Sequence, residues 1–512
     1  MGVSAGALAL GAVVVLALVP GGAGVVAEPG RAGGAEEARA VMAAGRGASP
    51  VLCALAERTV ENRWGWGQMP AEVEDSGGAA VRWATSETVG SDAVPVLLEG
   101  LHAGDACMQG LAARLLARSD ETSAREGLLE ALRSGPVGMR VQAAIGLGLS
   151  GAKAALPLLA IGLRDPAWQL RSVSAWALGA LDDRTAVDAL RGALADDVAA
   201  VRVSAARALG QLEDPRVVQE LSRLLRSDPS EEVRVAAAEA LGHIGSEAAI
   251  PALTDGMSDR SARVRRTAVW AVGQMEVGGA VPGLSKAIGD ADESVREMAV
   301  WALGQIEAKS AVGTLGTVLR EDRSVEVRRR AAWALGQIEE PSAVPALAAA
   351  LREPDGEVRR TAAWALGQIE SEAAVPALAA ALRDADAEVR ERSAWALGKM
   401  ESHAAPDALI AAVADAAPGV RKTAVWALGQ IRDARAVPAL RKALSDGDAE
   451  VRKAALWALG QMDNEAAREA LIEALKDQQA DVRAQAVRSL GGRHSGPWPW
   501  PMPRPMPRPF PR

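Results

Sequence analysis

Residues 388–400 have the sequence EVRERSAWALGKM, and a segment of this kind occurs twelve times along the chain. Alignment on the second residue of the segment gives a period of 31 residues, with two steps of 32. The aligned residues are Met139, Leu170, Val201, Val233, Val264, Val295, Val327, Val358, Val389, Val420, Val451 and Val482. A period of this length is typical of repeats that bury their apolar faces only against their neighbours. It predicts one elongated array rather than several globular domains.

Positions within each repeat are numbered from the aligned residue, so that Val389 is position 0 and Arg390 is position +1. Each repeat contains two predicted helices, as residues 374–383 and 388–401 illustrate. Pro often stands in the first turn of the first helix, where no amide hydrogen is needed. Gly398 and its equivalents at position +9 lie inside the second helix, and we expect a neighbouring helix to approach closely there.

Charged residues recur on both sides of the aligned position. Ten repeats have Asp at position −5, and all twelve have Arg at position +1. A carboxylate in this turn can cap the second helix and bind guanidinium groups of the same or an adjacent repeat. Because enzymes seldom need ten copies of one acid, we interpret these residues as a structural ladder. Its representative members are Asp165, Asp384, Asp415, Arg390 and Arg421.

The short period, the ValArg opening and the AlaLeuGly close resemble HEAT-like repeats of the phycobilisome-lyase (E/Z) type over about residues 90–492. The resemblance implies an all-α, right-handed α-solenoid of about twelve to thirteen two-helix repeats, with the second helices on the concave side. Lyases of this type attach or isomerise bilins, but no residue in this chain marks a bilin site. The related deoxyhypusine hydroxylase binds iron through paired HisGlu motifs, and none of the four His here is followed by Glu. We therefore predict no metal, no cofactor and no catalytic role.

Trp recurs at position +6, on the side of the second helix that a helical projection places opposite the core. The Trp row comprises Trp176, Trp270, Trp301, Trp333, Trp364, Trp395, Trp426 and Trp457. Four residues later, at position +10, lies the Gln row: Gln274, Gln305, Gln337, Gln368, Gln430 and Gln461, with Lys399 in one repeat. In one interpretation, each indole lies flat over the neighbouring helix and covers its Ala-rich surface. In the other, outward-facing indoles and Gln amides form a concave groove that binds an extended peptide, because a Gln amide both donates and accepts.

The bulk composition favours protein partners over polyanions. The net charge is −8 and the sequence pI is about 5.4, which argues against whole-molecule attraction to nucleic acid or to anionic lipid. We therefore predict a protein-interaction scaffold that binds a protein or an extended peptide. Two alternatives remain: a bilin-lyase-like enzyme, which visible absorbance would reveal, and the extracytoplasmic sensor part of a larger membrane protein, which apolar helices encoded upstream of Met1 would reveal.

The N-terminal region predicts a location outside the cytoplasm. An apolar run at residues 5–19 is followed by small residues at 25–27 that suit signal-peptidase cleavage. Residues 1–27 are thus a predicted signal peptide or membrane-proximal segment, and only this segment would associate with a membrane. Cys53 and Cys107 precede the regular repeats. They could form a disulfide in an exported protein, whereas two free thiols would be the default in the cytosol.

The remaining predicted segments are a linker at 28–48, an irregular helical cap at 49–117, the repeats at 118–492 and a Pro-rich tail at 493–512. The tail contains PWPWPMPRPMPRPFPR at 497–512. Pro at every second residue favours polyproline II, a conformation that aromatic grooves recognise. One hypothesis places this tail on the Trp row of the same or another molecule. The other leaves it solvated.

Overall fold

The computed structural model describes residues 89–490, except residues 277, 401, 403, 463, 478 and 479, together with Ala35, Ala38 and Arg39. Three predicted parts lie outside the described residues: the segment 1–27, the tail 493–512 and residues 49–88 of the cap. Every regular element within the described ranges is an α-helix or a short 3-10 helix.

The chain divides into two compact units, residues 1–252 and residues 253–512. The helices of the first unit are α1 Val94–Leu101, α2 Ala106–Leu116, α3 Thr122–Ser134, α4 Val137–Ser150, α5 Leu156–Gly162, α6 Trp168–Ala180, α7 Val187–Ala193, α8 Ala199–Gln211, α9 Val218–Ser227 and α10 Glu231–Ile244. Helix α11 Ile250–Gly256 spans the boundary in sequence.

The second unit has α12 Ala262–Met275, α13 Val281–Ala287, α14 Glu293–Gln305, α15 Val312–Glu321, α16 Val325–Ile338, α17 Val344–Ala350, α18 Gly356–Ile369, α19 Val375–Ala381, α20 Ala387–Lys399, α21 Asp407–Ala411, α22 Pro418–Ile431, α23 Val437–Ala443, α24 Ala449–Gln461, α25 Glu465–Ala474 and α26 Ala480–Leu490. Odd-numbered helices are the first helices of the repeats, and even-numbered helices are the second. A 3-10 turn precedes many first helices, as Glu372–Ala374 precedes α19.

The core of each unit lies between successive second helices and their first helices. Within a unit, neighbouring second helices pack on one another, and first helices pack on the second helices that follow them. Val389 at position 0, Leu397 at position +8 and Leu378 from the first helix are almost completely buried in one such repeat. The chain is an α-solenoid of stacked two-helix repeats, as the period predicts.

Several second helices begin with a side-chain cap, which in repeats with a ladder Asp stands two residues after that Asp. Asp386 is the N-cap of α20, and its carboxylate accepts a hydrogen bond from the N–H of Glu388 at 2.8 Å. The ladder residue Asp384 instead accepts from the N–H of Asp386 at 2.8 Å. The prediction that the position −5 carboxylate caps the helix is therefore wrong. That carboxylate instead stabilises the turn that precedes the helix, through its hydrogen bond with the N-cap residue.

Several second helices end in a left-handed residue that is not Gly. Seven described residues have positive φ with a side chain: Asp182, Glu213, Glu276, Glu307, Glu339, Glu370 and Arg432. This conformation costs roughly 1–2 kcal/mol for a residue with a Cβ. Glu and Arg are not typical turn residues, so the sequence pattern did not reveal these sharp helix ends.

The N-terminal part has helical residues in the predicted linker and paired helices in the predicted helical cap. Ala35, Ala38 and Arg39 of the predicted linker are helical, Ala38 is completely buried, and the Ala35 N–H donates to Asp92 at 3.2 Å. Helices α1 and α2 also pack as a pair, and α2 packs on α4. Paired helices are therefore present from Val94, within the predicted helical cap.

Candidate binding surface

The indoles of the Trp row are mostly buried between repeats. Trp176, Trp301, Trp333, Trp364, Trp395 and Trp426 are between 4% and 8% exposed, and Trp270 and Trp457 are half-buried. The prediction that these rings face outward into an open trough is therefore wrong for six of the eight. The structure matches the other interpretation, in which each indole lies over the neighbouring helix.

A Gly in the preceding repeat makes room for seven of these eight rings. A Cβ added to Gly367, at position +9 of its repeat, would stand 2.5 Å from Cζ3 of Trp395 and 2.9 Å from Cβ of Ala396 in the next repeat. Real Cβ atoms do not approach other atoms this closely, so only Gly fits there. The same relationship joins Gly148 to Trp176, Gly273 to Trp301, Gly304 to Trp333, Gly336 to Trp364, Gly398 to Trp426 and Gly429 to Trp457. The predicted close approach at position +9 is confirmed.

Two repeats of the first unit have charged residues in place of Trp. Arg207 and Glu239 occupy position +6 in α8 and α10, and Arg207 Nε lies 3.3 Å from the Glu239 carboxylate. Gly179 and Gly210 still lie against the Ala at position +7 of the next repeat. The Gly–Ala contact is thus the constant element of the stack, and the indole covers it where Trp is present.

The Gln row is accessible where the Trp row is not. Gln430 is exposed, and Gln274, Gln305, Gln337, Gln368 and Gln461 are half-buried. Among the described residues, none of these six amides hydrogen-bonds another group. Gln211 occupies the same position in α8 and is also exposed, although sequence analysis missed it because that repeat has no Trp. Lys399 takes the Gln position in α20 and pairs with Glu370.

Charges beside the Gln row are largely paired on the surface itself. Arg360 lies 2.7 Å from Glu357, and Lys453 lies 3.2 Å from Glu450, each pair one helical turn apart. Arg330 is buried and pairs with Glu297, and burial lowers the pKa of its guanidinium against the opposing effect of that carboxylate. The second-helix surface of the second unit therefore combines free amides with charges of both signs.

The Arg and Asp ladder joins consecutive repeats. Arg390 donates from Nε and Nη2 to the two carboxylate oxygens of Asp415, 25 residues later, at 2.7 and 2.9 Å. Its Nη1 donates to the carbonyl of Asp384 at 2.8 Å in its own repeat. Equivalent two-point pairs join Arg171 to Asp196, Arg202 to Asp228, Arg265 to Asp290, Arg296 to Asp322, Arg359 to Asp384 and Arg421 to Asp446. Each guanidinium thus ties its own turn to the turn of the next repeat.

The ladder changes the ionisation of its carboxylates. The hydrogen bond from Arg390 lowers the pKa of the Asp415 carboxyl, against the opposing effect of burial, and the Ala417 N–H lowers it further. The Arg265 guanidinium lowers the pKa of Asp290 in the same way. These groups are held in fixed pairs, and their two-point geometry is typical of structural recognition.

Cys107 is disulfide-bonded and lies in α2 of the first described pair of helices. Its predicted partner, Cys53, lies outside the described residues, so the pairing stays a prediction. Within the same described ranges, no three His, Cys, Asp or Glu side chains are placed to hold a metal ion together. Nor is any described helix both long and apolar enough to cross a membrane.

The sequence matches a family model of HEAT repeats at residues 155–234, 218–286, 281–356, 344–422 and 406–491. These matches cover more than half of the chain, and the protein therefore belongs to the HEAT-repeat family. The model describes HEAT repeats in general, and membership of the phycobilisome-lyase type stays a prediction. No curated protein matches the sequence.

Solved structures of importin beta and of Kap95p resemble the fold. A chain from a structure of Kap95p with RanGDP is 13% identical, and the match covers 90% of this chain and 78% of that chain with a TM-score of 0.50. An importin beta structure from polyethylene glycol is 15% identical, with 89% and 77% covered and a TM-score of 0.55. Another, from ammonium sulfate, is 15% identical, with 86% and 68% covered and a TM-score of 0.51. Likeness at this level of identity concerns the fold alone.

Proposed function

We propose that the protein is an interaction scaffold that binds an extended segment of a protein partner along the second helices of the second unit. The observation that carries this proposal is the Gln row. Its amides occur in six of seven consecutive repeats, reach the surface and have no partner among the described residues. A regular series of free amides suits a regular ligand, and a peptide backbone offers alternating donors and acceptors.

The spacing of the repeats supports an extended ligand. Packed helices lie about 8–10 Å apart, and an extended chain advances about 3.3 Å per residue. Each repeat therefore corresponds to about three ligand residues. In a polyproline II conformation, which has three residues per turn, one Gln can meet the same side of the ligand backbone in successive repeats. The buried Trp row has a different part in this proposal. The indoles fix the distance between second helices and so hold the amides in register.

The surrounding charges favour a protein ligand of mixed character. Arg360 pairs with Glu357 and Lys453 with Glu450, so the surface presents balanced pairs rather than a continuous basic stripe. HEAT-repeat solenoids commonly act as protein-binding scaffolds, and the similar Kap95p binds RanGDP.

We further propose that the protein works outside the cytoplasm, cleaved or tethered at its N-terminal segment. The apolar run at residues 5–19 and the disulfide at Cys107 support this location, because disulfides persist in oxidising compartments.

Site-specific photocrosslinking tests the proposed surface directly. A photoreactive residue is placed at the half-buried Gln368 on the second helix α18, and in a comparison variant at the exposed Ala380 on the first helix α19. Crosslinking in intact cells that express either variant is followed by mass spectrometry of the products. We expect a protein adduct at position 368 and none at position 380. Adducts at position 380 alone would assign binding to the opposite helices and contradict the proposal.

A further inference from the structure

The last repeat exposes apolar side chains at positions that a following repeat covers elsewhere in the array. Val487 on α26 is 59% exposed, and Ile472 and Leu475, on α25 and directly after it, are 51% and 36% exposed. We call these three residues the end face. Soluble proteins rarely leave adjoining apolar side chains uncovered without a use for them.

The equivalent residues in earlier repeats of the second unit show what covers this surface. Val487 is at position +5, where Val425 and Leu456 are completely buried. Leu475 is at position −7, where Leu382 and Leu444 are also buried. The end face is therefore the surface against which a further repeat would stack.

Position −10 identifies the same direction through an ion pair. Arg441 occupies position −10 in its repeat and lies 2.7 Å from Glu473 of the following repeat. Ile472 is the equivalent residue in the last repeat, so it points toward the place of a following repeat. Terminal repeats of solenoids usually have a polar outer side, and three apolar residues here depart from that rule.

The sequence after α26 does not continue the repeat but supplies a ligand of suitable chemistry. Pro497 is seven residues after Leu490, a distance of about 23 Å when extended. Helix α26 has 11 residues and is about 16 Å long, so residues 497–512 can reach every part of the end face. This tail carries five large apolar side chains between its prolines: Trp498, Trp500, Met502, Met506 and Phe510. A chain already restricted by Pro loses little entropy when it docks.

Charge also fits the tail to this end of the protein. Helix α25 exposes the carboxylates of Glu465 and Glu469, whereas Glu473 already pairs with Arg441 of the preceding repeat. The tail carries Arg504, Arg508 and Arg512 between its prolines and apolar residues. Glu465 and Glu469 can pair with these Arg residues, while the exposed Lys476 and Arg488 leave the apolar contacts to select the end face.

We propose that residues 497–512 fold back on their own molecule and cover the end face formed by Ile472, Leu475 and Val487. The tail thereby takes the place of a terminal cap and keeps the end of the array from associating with other chains. This proposal does not depend on ligand binding along the Gln row.

Phe510 provides a specific probe, because it is the only Phe in a chain that has no Tyr. Full-length protein made with 4-fluorophenylalanine gives one 19F NMR signal, which reports on the tail. The reference is a synthetic peptide of residues 497–512 with the same label. We expect the signal of the full chain to be shifted from the peptide signal and broadened, because a docked tail tumbles with the whole protein. The signal should not change on tenfold dilution.

Three variants complete the test. Val487→Asp and Ile472→Asp each place a charge on the end face and should return the signal to its position in the peptide. Ile161→Asp changes an equally exposed apolar residue of the first unit and should leave the signal shifted. Circular dichroism shows which end-face variant keeps its native helicity. The 19F signal of that variant is the one that tests the proposal. A peptide-like signal in the native chain, a shift that survives the end-face substitution, or a shift lost on dilution would each overturn the proposal.

Discussion

Gly367 in helix α18 lies directly beneath Trp395 of the next repeat, and a Cβ at Gly367 would stand 2.5 Å from Cζ3 of the indole. Ala favours helix over Gly by about 1 kcal/mol, so the helix alone would gain from Gly367→Ala. Overpacking of a rigid core typically costs 1–3 kcal/mol. The contact with the rigid indole decides the balance.

We predict that Gly367→Ala lowers the free energy of unfolding by about 1–3 kcal/mol, measured by urea denaturation. Gly313→Ala is the matched control, because a Cβ at this position of α15 meets nothing within 4 Å. The control should be neutral or slightly stabilising. Equal effects of the two substitutions would contradict the close contact between Gly367 and the indole of Trp395.

The coupling between the two residues provides a second prediction. In a double-mutant cycle, Trp395→Leu should remove the part of the Gly367→Ala penalty that comes from the indole, while the contact with Ala396 at 2.9 Å remains. Residues in contact show interaction energies of about 0.5–3 kcal/mol. Strictly additive losses in unfolding free energy would show that the indole does not occupy the space above Gly367.

The ladder pair of Arg390 and Asp415 should contribute more than a surface ion pair. Arg390→Ala leaves the half-buried Asp415 without its two-point partner, at a cost of about 1–3 kcal/mol. Arg441→Ala is the control, since Arg441 pairs with Glu473 but both side chains are about half exposed. Exposed pairs contribute about 0–1 kcal/mol. Urea denaturation of both variants compares the losses, and a larger loss for Arg441→Ala would contradict this account.

The lowered pKa of Asp415 predicts a direction for the effect of pH. When the folded pKa lies below the unfolded value, the unfolded state binds more protons in acid. The contribution to stability is therefore complete above the unfolded pKa, which is about 4. It is lost as the pH falls through the folded pKa. Asp290 behaves in the same way. We expect unfolding free energies to fall between pH 5 and pH 3, and Asp415→Asn to reduce that fall. A variant with the unchanged pH dependence of the native chain would contradict the assignment.

The sequence determined the repeat and its small-residue contact but not the orientation of the Trp row. Val389 and Leu397 recur with a fixed period, which dictates stacked helices, and Gly398 indicates a close approach. A helical projection assumes one buried side, whereas a second helix in a solenoid also contacts the second helices before and after it. Trp395 leaves its own helix on the outer side and bends over Gly367 of its neighbour. This contact exists only when two repeats are packed together, so the sequence of one helix does not predict it.

The Gln row could be predicted as residues but not as the accessible part of the surface. Gln368 and Trp364 lie one turn apart, and no pattern in the sequence distinguishes their environments. The two environments differ in the structure, because the indole of Trp364 packs in the space beside Gly336 whereas the Gln368 amide lies near solvent. The left-handed conformations of Glu339 and Glu370 could not be predicted either, because Glu does not indicate a left-handed helix end.

Left-handed Glu339 offers a stabilising substitution. Its φ is 53°, it is exposed, and a Cβ makes this conformation unfavourable. Glu339→Gly should raise the free energy of unfolding by up to about 1 kcal/mol. Glu339→Ala removes the same charge but keeps the Cβ, so it should give no such gain in the same urea measurement. Equal gains from both would assign the effect to charge instead of to the backbone.

The affinity for a protein partner tests the proposed role of the Gln row most directly. The partner identified by crosslinking at position 368 is titrated calorimetrically into the native chain and into the triple variant Gln337→Ala, Gln368→Ala and Gln430→Ala. Each lost hydrogen bond costs about 0.5–1.5 kcal/mol, so the triple variant should bind at least about tenfold more weakly while its unfolding temperature stays the same. Unchanged affinity in the triple variant would contradict the account.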